Sequence, residues 1–317
     1  MARLIAWALV ALAGSAFAQD YPNRVIRIVV PFGPGNAGDI IARAMQPGLA
    51  DQFRQNIVID NRPGAGGTIA AEVAKNAPAD GYTVMLVTAG THAINASLYS
   101  KLPYDPVRDF TAIGLCASSP NVLVVTPALG PATAKEFIAL ARAKPGELNY
   151  GSSGSGTTVH LSAELFNVMA GTKTVHVPYK GASEALTDLI AGRTQFMFAS
   201  MSSSIQTIRG GKLRALAVTS AKRHPALPEV PAMAESLPGY EAVAWYGYAG
   251  PAGLPRPVVA TLSRAISATL AAQDVRDRMT AAGTDPVSST PEEFAAYIRS
   301  EVPKWAQVVK ASGARAD

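Results

Sequence analysis

The sequence is poor in cysteine and in charge. Its 317 residues include one cysteine, Cys116, which excludes an internal disulfide, a four-cysteine zinc site and a CxxC redox pair. Charged residues make up 16% of the chain and hydrophobic residues 48%, a balance typical of a protein with a sizeable core. The net charge is only +5 and no Lys/Arg-rich run with interleaved aromatic residues occurs, so nucleic-acid binding is disfavoured.

Apolar runs long enough to span a membrane are also missing, and one shorter run lies at the N-terminus. Residues 4–14 are largely apolar, follow Arg3, and precede Ala16-Phe17-Ala18, which matches a small-x-small cleavage site. We therefore predict a cleavable signal peptide over residues 1–18, the alternative being a buried N-terminal helix. No cysteine follows the site, so no lipid anchor is expected there. Export without internal disulfides favours a bacterial periplasm.

The rest of the chain indicates two series of alternating strands and helices. The first runs β-α-β-α-β over residues 25–91, and the second restarts after Pro120 and ends near residue 218. The first predicted helix is expected to end near Pro47. A strand over residues 242–250 and three later helices, the last kinked or broken at Pro303, are expected to return to the first series. This pattern predicts domain 1 of residues 19–120 plus 242–317 and domain 2 of residues 121–241. Two crossovers would form a hinge, and the cleft between the domains is the expected ligand site.

A glycine-rich loop over residues 33–38 follows the first predicted strand and opens the first predicted helix. It matches GxGxxG, and Asp60 stands at the end of the next strand, as in a dinucleotide-binding fingerprint. We disfavour that assignment because Pro34 lies inside the turn and an exported protein has little access to NAD. Unpaired N–H groups and the helix macrodipole still favour an anion at this loop, and a carboxylate suits them as well as a phosphate.

A second loop of glycine and serine, residues 151–156, opens a helix in the second series. Its hydroxyls are ligand donors or helix caps. The GxSxG nucleophile pattern fails because Ser155 stands where a glycine is required after Ser153. His160 and Glu164 have i, i+4 spacing, which makes an ordinary helix contact more often than a metal pair. We predict no metal, no cofactor and no catalytic residue.

Taken in order, these motifs resemble the Bug-type periplasmic receptors, the extracytoplasmic solute-binding subunits of tripartite tricarboxylate transporters. The matching stretches are Val29-Val30-Pro31-Phe32 with the loop after it, Asn61-Arg62-Pro63-Gly64-Ala65-Gly66-Gly67, Thr91-His92-Ala93-Ile94-Asn95, Gly151-Ser152-Ser153-Gly154-Ser155-Gly156 and Val177-Pro178-Tyr179-Lys180-Gly181. They extend over nearly the whole chain after residue 18. Each is weak alone, and the ordered set is specific.

The resemblance implies an α/β, two-domain periplasmic-binding-protein fold of the Venus flytrap kind, type II-like, with two hinge crossovers. It also implies a monomeric receptor, not an enzyme, that closes on a small carboxylate and delivers it to integral-membrane permease subunits. Dicarboxylates, tricarboxylates, acidic amino acids and aromatic acids are candidate ligands. The implied ligand-binding residues are Phe32, Gly33, Gly35, Asn36, Ala37, Gly38, Thr88, Gly90, Thr91, Ser152, Ser153, Ser155, Gly156 and Thr157. Asn36 departs from the family pattern, in which glycine is frequent at this position.

Other functions stay open from the sequence. An exported enzyme, either an NAD-dependent oxidoreductase or a serine hydrolase, is the main alternative. A receptor domain that signals to a sensor protein is another, because the same closed surface would serve either partner. Trp245 and Tyr246, near the second crossover, are expected either to line the cleft or to belong to the hinge core.

Overall fold

The computed structural model describes residues 21–316, so the predicted signal peptide over residues 1–18 lies outside the described residues. The strands are β1 (Ile26–Val30), β2 (Ile57–Asn61), β3 (Thr83–Thr88), β4 (Phe110–Val125), β5 (Asn149–Ser152), β6 (Val175–Pro178), β7 (Phe196–Ser200), β8 (Arg214–Val218), β9 (Val243–Pro251) and β10 (Asp285–Pro286). The helices are α1 (Ala37–Phe53), α2 (Thr68–Lys75), α3 (Asn95–Leu98), α4 (Ala134–Ala143), α5 (Thr158–Ala170), α6 (Ala182–Ile190), α7 (Met201–Arg209), α8 (Arg256–Ala271), α9 (Gln273–Ala281) and α10 (Pro291–Ser312).

The strands form two sheets that share the long strand β4. In the first sheet the order is β2-β1-β3-β9-β4, with β1 parallel to its two neighbours and β9 antiparallel to both of its own. In the second sheet, β4 lies antiparallel to β7 and β8, and β5 lies parallel to β7 and β6. We call the part of the molecule built on the first sheet the first lobe and the part built on the second sheet the second lobe.

β4 passes from one lobe to the other at a single point. Its residues up to Pro120 pair with β9, and from Asn121 onward they pair with β7. The return connection lies beside it, because the Thr219 N–H donates to the Asn121 carbonyl at 2.9 Å and the Ala242 N–H donates to the Thr219 carbonyl at 3.0 Å. These pairings support the predicted division at residues 120 and 241, which stays a prediction.

The apolar core is continuous between the lobes on one side only. One cluster contains Val29 of the first lobe, Phe137 of the second lobe, and Phe294 and Trp305 of α10. On their other faces each sheet has a cluster of its own. The sequence predicted that the C-terminal helices cover domain 1, but α10 also contacts α5 of the second lobe.

Most predicted elements are present within a few residues, and six differ. The first part of β4, Phe110–Pro120, helices α3 and α7, and strand β10 have no counterpart in the sequence prediction. α1 continues past Pro47 to Phe53, because buried Leu49 and Phe53 anchor its last turns in the core. α10 likewise continues through Pro303 without a break. No helix of the described residues is both long and apolar enough to cross a membrane.

Candidate ligand-binding cleft

A small polar cavity lies between the lobes at the ends of their strands, and we call it the inner cavity. Its volume is about 20 Å³, which is room for about one water-sized group. Its walls come from the first lobe, the second lobe and β9, and none of its lining side chains is charged. They are Phe32, Asn36, Thr88, Ala89, Gly90, Ser153, Thr157, Thr158, Val159, Ser200, Ala244, Trp245 and Tyr246.

Asn36 forms the first-lobe wall as the N-cap of α1. Its backbone is extended, and its Oδ1 accepts a hydrogen bond from the Gly38 N–H at 3.2 Å, as N-cap residues do. The side-chain amide nitrogen of Asn36 makes no hydrogen bond with any of residues 21–316. Asn36 therefore adds a neutral donor to the positive end of the α1 macrodipole, an arrangement that attracts an anion.

The carboxylate of Asp39 stabilises this loop through hydrogen bonds. The buried carboxylate accepts hydrogen bonds from the Gly35 N–H at 3.0 Å, Arg43 Nε at 2.9 Å and Asn61 Nδ2 at 3.0 Å. Asn61 Nδ2 also donates to the Phe32 carbonyl at 2.8 Å. Burial alone would raise the pKa of Asp39, but the hydrogen bonds from Arg43, Gly35 and Asn61 outweigh it and lower that pKa. Asp39 is thus an ionised support of the loop, outside the lining of the inner cavity.

The second-lobe loop is held by its own hydroxyls. Thr157 caps α5, since its Oγ1 accepts from the His160 N–H at 3.3 Å and donates to the Gly154 carbonyl at 2.8 Å. Ser152 Oγ lies 2.6 Å from His176 Nε2 and accepts from the Gly154 N–H at 3.1 Å. These contacts shape the loop and place the start of α5, Thr158 and Val159, in the wall of the inner cavity.

The lobes touch each other beside the inner cavity through glycines. A methyl group on Gly66 would lie 2.5 Å from the Ser155 carbonyl oxygen, and one on Gly90 would lie 2.7 Å from the Gly156 carbonyl oxygen. Real carbon atoms do not approach so closely, so the backbones of the two lobes meet here without side chains between them. The inner cavity is therefore closed on this side by backbone from both lobes.

Trp245 of β9 forms the floor and connects the cavity to α10. Its indole Nε1 donates to Glu301 Oε2 at 2.9 Å, and Trp305 Nε1 donates to the same oxygen at 2.9 Å. Lys304 Nζ lies 2.8 Å from Glu301 Oε1, so the buried carboxylate of Glu301 is fully engaged. Trp245 lines the inner cavity and is also part of the buried core.

Six of the predicted ligand-binding residues line the inner cavity, and Ser155 lines a neighbouring one. The six are Phe32, Asn36, Thr88, Gly90, Ser153 and Thr157. Seven others line neither cavity: Gly33, Gly35, Ala37, Gly38, Thr91, Ser152 and Gly156. Thr91 supports the wall instead, since its Oγ1 accepts from the Thr88 N–H at 3.1 Å. Ligand contact by any of these residues stays a prediction.

Apart from Trp245 and Tyr246, the predicted ligand-binding set omitted five lining residues, which are Ala89, Thr158, Val159, Ser200 and Ala244. Ser200 ends β7, and the tendency of ligands to bind where strands end would have marked it. Val159 and Ala244 are apolar and carry no local signal. Their positions follow from the meeting of α5 and β9, which are far apart in the chain.

The enzyme alternatives gain no support from the geometry. Ser152 and His176 form a serine–histidine pair, but Ser152 is fully buried, and its hydroxyl holds the loop. His160 Nε2 lies 4.0 Å from Glu164 Oε1, a helix contact as predicted. Within residues 21–316, no group of three or more His, Cys, Asp or Glu side chains is arranged to hold a metal ion.

A family model described as the tripartite tricarboxylate transporter family receptor matches residues 41–314. The chain belongs to this receptor family. BugT of Bordetella pertussis is 34% identical over 306 residues, which are 96% of this chain and 94% of BugT. These matches confirm the predicted Bug-type receptor and its solute-binding role.

Solved structures of similar proteins confirm the fold. An R. palustris protein solved with adipate has a TM-score of 0.90 and 38% identity, covering 93% of this chain and 99% of that protein. MatC of Rhodopseudomonas palustris, solved with bound malate, has a TM-score of 0.87 and 33% identity, covering 91% and 100%. This receptor therefore has the predicted two-domain periplasmic-binding-protein fold, and its family and structural neighbours are receptors, not enzymes.

Proposed function

We propose that this receptor binds a small carboxylate in the inner cavity, between the loops that follow β1, β3 and β5. The observation that carries the proposal is a cavity to which both lobes contribute hydroxyl or amide side chains and neither contributes a charged one. Neutral donors suffice, because hydrogen bonds to a charged group contribute about 1.5–3 kcal/mol each. Adipate and malate in the two similar structures support a carboxylate ligand.

Binding is proposed to shift an equilibrium between open and closed lobes. The moving units are residues 19–120 plus 242–317 and residues 121–241, which meet where Thr219 bonds to Asn121. A ligand that touches Asn36 and Ser153 together does so only when the lobes are closed, so its binding energy favours that state. Differential contact of this kind is what a receptor needs to present a closed surface to a partner.

Membership of the receptor family supports a proposal for the partners and the location. We propose that the closed receptor is monomeric and docks on integral-membrane permease subunits, and that residues 1–18 direct export to the periplasm before cleavage. Sequencing the N-terminus of the protein recovered from the periplasm tests the second point, with Gln19 as the expected first residue.

Asn36→Asp is the sharpest test of the carboxylate site. Aspartate is as good an N-cap as asparagine, so α1 keeps its start, but the neutral donor is replaced by a negative charge that faces the carboxylate of the ligand. We expect affinity for adipate and malate, measured by calorimetry, to fall by about 100-fold, as befits a lost donor plus like-charge repulsion. Melting temperature should change little.

Thr133→Asp is the matched control. Thr133 is the N-cap of α4 and accepts from the Glu136 N–H at 3.2 Å, but it does not line the inner cavity. The variant adds the same charge at the same kind of position and should bind like the wild type. Equal affinity of both variants would place the ligand elsewhere, and a wild type that binds no carboxylic acid would contradict the proposed function.

A further inference from the structure

A second cavity adjoins the inner one, and we call it the mouth pocket. Its volume is about 280 Å³, and its walls again come from both lobes. Its lining residues are Phe32, Gly64, Ala65, Gly66, Tyr99, Ser153, Gly154, Ser155, Pro178, Tyr179, Lys180 and Ala316. Phe32 and Ser153 line both cavities, so a chain that leaves the inner cavity between these two residues enters the mouth pocket.

The volumes of the two cavities imply that a metabolite-sized ligand occupies both of them. The inner cavity, at about 20 Å³, has room for about one water-sized group, so it takes no more than the tip of a ligand, such as an oxygen of one carboxylate. A metabolite with several more atoms must extend beyond it, and the mouth pocket offers more than ten times that space. The residues that line the mouth pocket therefore determine which chemical group is favoured at the far end of the ligand.

Lys180 is the one charged side chain among the described residues that line the two cavities. Its ammonium group forms no ion pair or hydrogen bond with any of residues 21–316. Two carboxylates lie nearby and are engaged: Glu184 accepts from the Lys180 N–H at 3.3 Å, and Asp188 accepts from the Tyr179 hydroxyl at 2.8 Å and pairs with Arg193. The side-chain charge of Lys180 is thus available to a ligand.

We propose that the mouth pocket is a second anion subsite, in which Lys180 binds the distal carboxylate of a dicarboxylate whose first carboxylate lies in the inner cavity. The subsite rests on the proposed function and narrows it from carboxylates in general to dianions. Neutral hydrogen-bond donors bind the first carboxylate at the inner cavity. The exposed ammonium group of Lys180 favours a second negative charge in the mouth pocket. A monocarboxylate of equal length would leave Lys180 without a partner.

Lys180→Gln tests the subsite with ligands matched in length. Calorimetry compares adipate with hexanoate, and malate with 2-hydroxybutyrate, so that each pair differs by one distal carboxylate. We expect the variant to lose about fivefold in affinity for the dicarboxylates, the effect of a solvent-exposed ion pair, and little for the monocarboxylates. Lys180→Arg should restore the preference, and added salt should reduce the preference in the wild type.

Lys173→Gln is the control for net charge, because Lys173 is an exposed lysine of the same lobe that lines neither cavity. It should behave like the wild type. If Lys180→Gln leaves the ratio of dicarboxylate to monocarboxylate affinity unchanged while both still bind, the subsite is refuted and the proposed function stands. If the wild type binds neither ligand of either pair, both proposals are wrong.

Discussion

Gly156 allows the second-lobe loop to lie directly against the first lobe. Its φ of +81° is in the left-handed region that favours glycine, and a methyl group there would collide with Asn95 Oδ1 across the cleft. Asn95 itself is buried and donates to the Gly66 carbonyl at 3.1 Å, so it cannot move aside without losing that bond. One missing side chain thus sets how closely the lobes can approach.

Gly156→Ala should therefore weaken ligand binding more than it weakens folding. Gly171, at the other end of α5, has a φ of +63° and open space around it, which makes Gly171→Ala the matched control. Both variants should lose about 1 kcal/mol of stability from backbone strain. Only Gly156→Ala should also lower adipate affinity, by roughly tenfold or more if closure costs a further 1.4 kcal/mol. Equal affinities would show that the lobes do not close at this contact.

Helix α10 connects elements that belong to different lobes. It contacts β4 and α5, and its Glu301 receives the indole N–H groups of Trp245 and Trp305. Because Trp245 lines the inner cavity, the last helix of the chain fixes the orientation of a ring in the cleft wall. The stability of α10 and the shape of the cavity therefore depend on the same carboxylate.

Glu301→Ala should destabilise the protein and disturb the cavity floor. The substitution leaves two buried indole N–H groups without an acceptor, at a cost of about 1–3 kcal/mol each. Urea denaturation followed by tryptophan fluorescence should show this loss. Glu292→Ala, an exposed position on the same helix, is the control and should change the free energy of unfolding by less than about 0.5 kcal/mol. Similar stability of the two variants would mean that the indole groups find other partners.

Three histidines of the folded protein are held in the neutral form: His92 and His160 are buried, and His176 is half-buried. Burial lowers the pKa of His92 to about 3, that of His160 to about 3 and that of His176 to about 4. The charge of a protonated neighbour adds to the effect at His160, because the His160 and His176 rings stack with centroids 4.0 Å apart. In the unfolded chain these side chains titrate near pH 6.5.

Stability should therefore fall as pH drops from about 6.5 towards 4. In this window the unfolded chain binds protons that the folded chain does not, so the free energy of unfolding decreases, with a slope that approaches about three protons. Below the folded pKa values the loss is complete. Urea denaturation at intervals from pH 7.5 to 4.5 measures the slope, and His176→Gln should reduce it by about one proton. A flat profile between pH 7 and 5, where ordinary carboxylates do not titrate, would contradict buried neutral histidines.

Local pattern was enough to predict the alternating elements and the two loops that lie at the inner cavity. Apolar periodicity and flanking glycines marked most helices to within a few residues, because those signals act over one or two turns of chain. The two glycine-rich loops were found for the same reason. Both lie at the inner cavity, with Asn36 and Ser153 in its wall, since strand ends and helix starts are encoded where they occur.

Contacts between segments that lie far apart in the sequence could be identified only from the tertiary structure. The first part of β4 is a strand because β9, more than a hundred residues later, supplies its hydrogen bonds, and its own small and polar residues show no strand pattern. Pro47 and Pro303 remain inside helices because core side chains beyond them hold the last turns in place. Lys180 faces the cleft because the second lobe places the end of β6 opposite the Gly64–Gly66 backbone. Sequence determines which groups are available, and packing across the chain decides which of them meet.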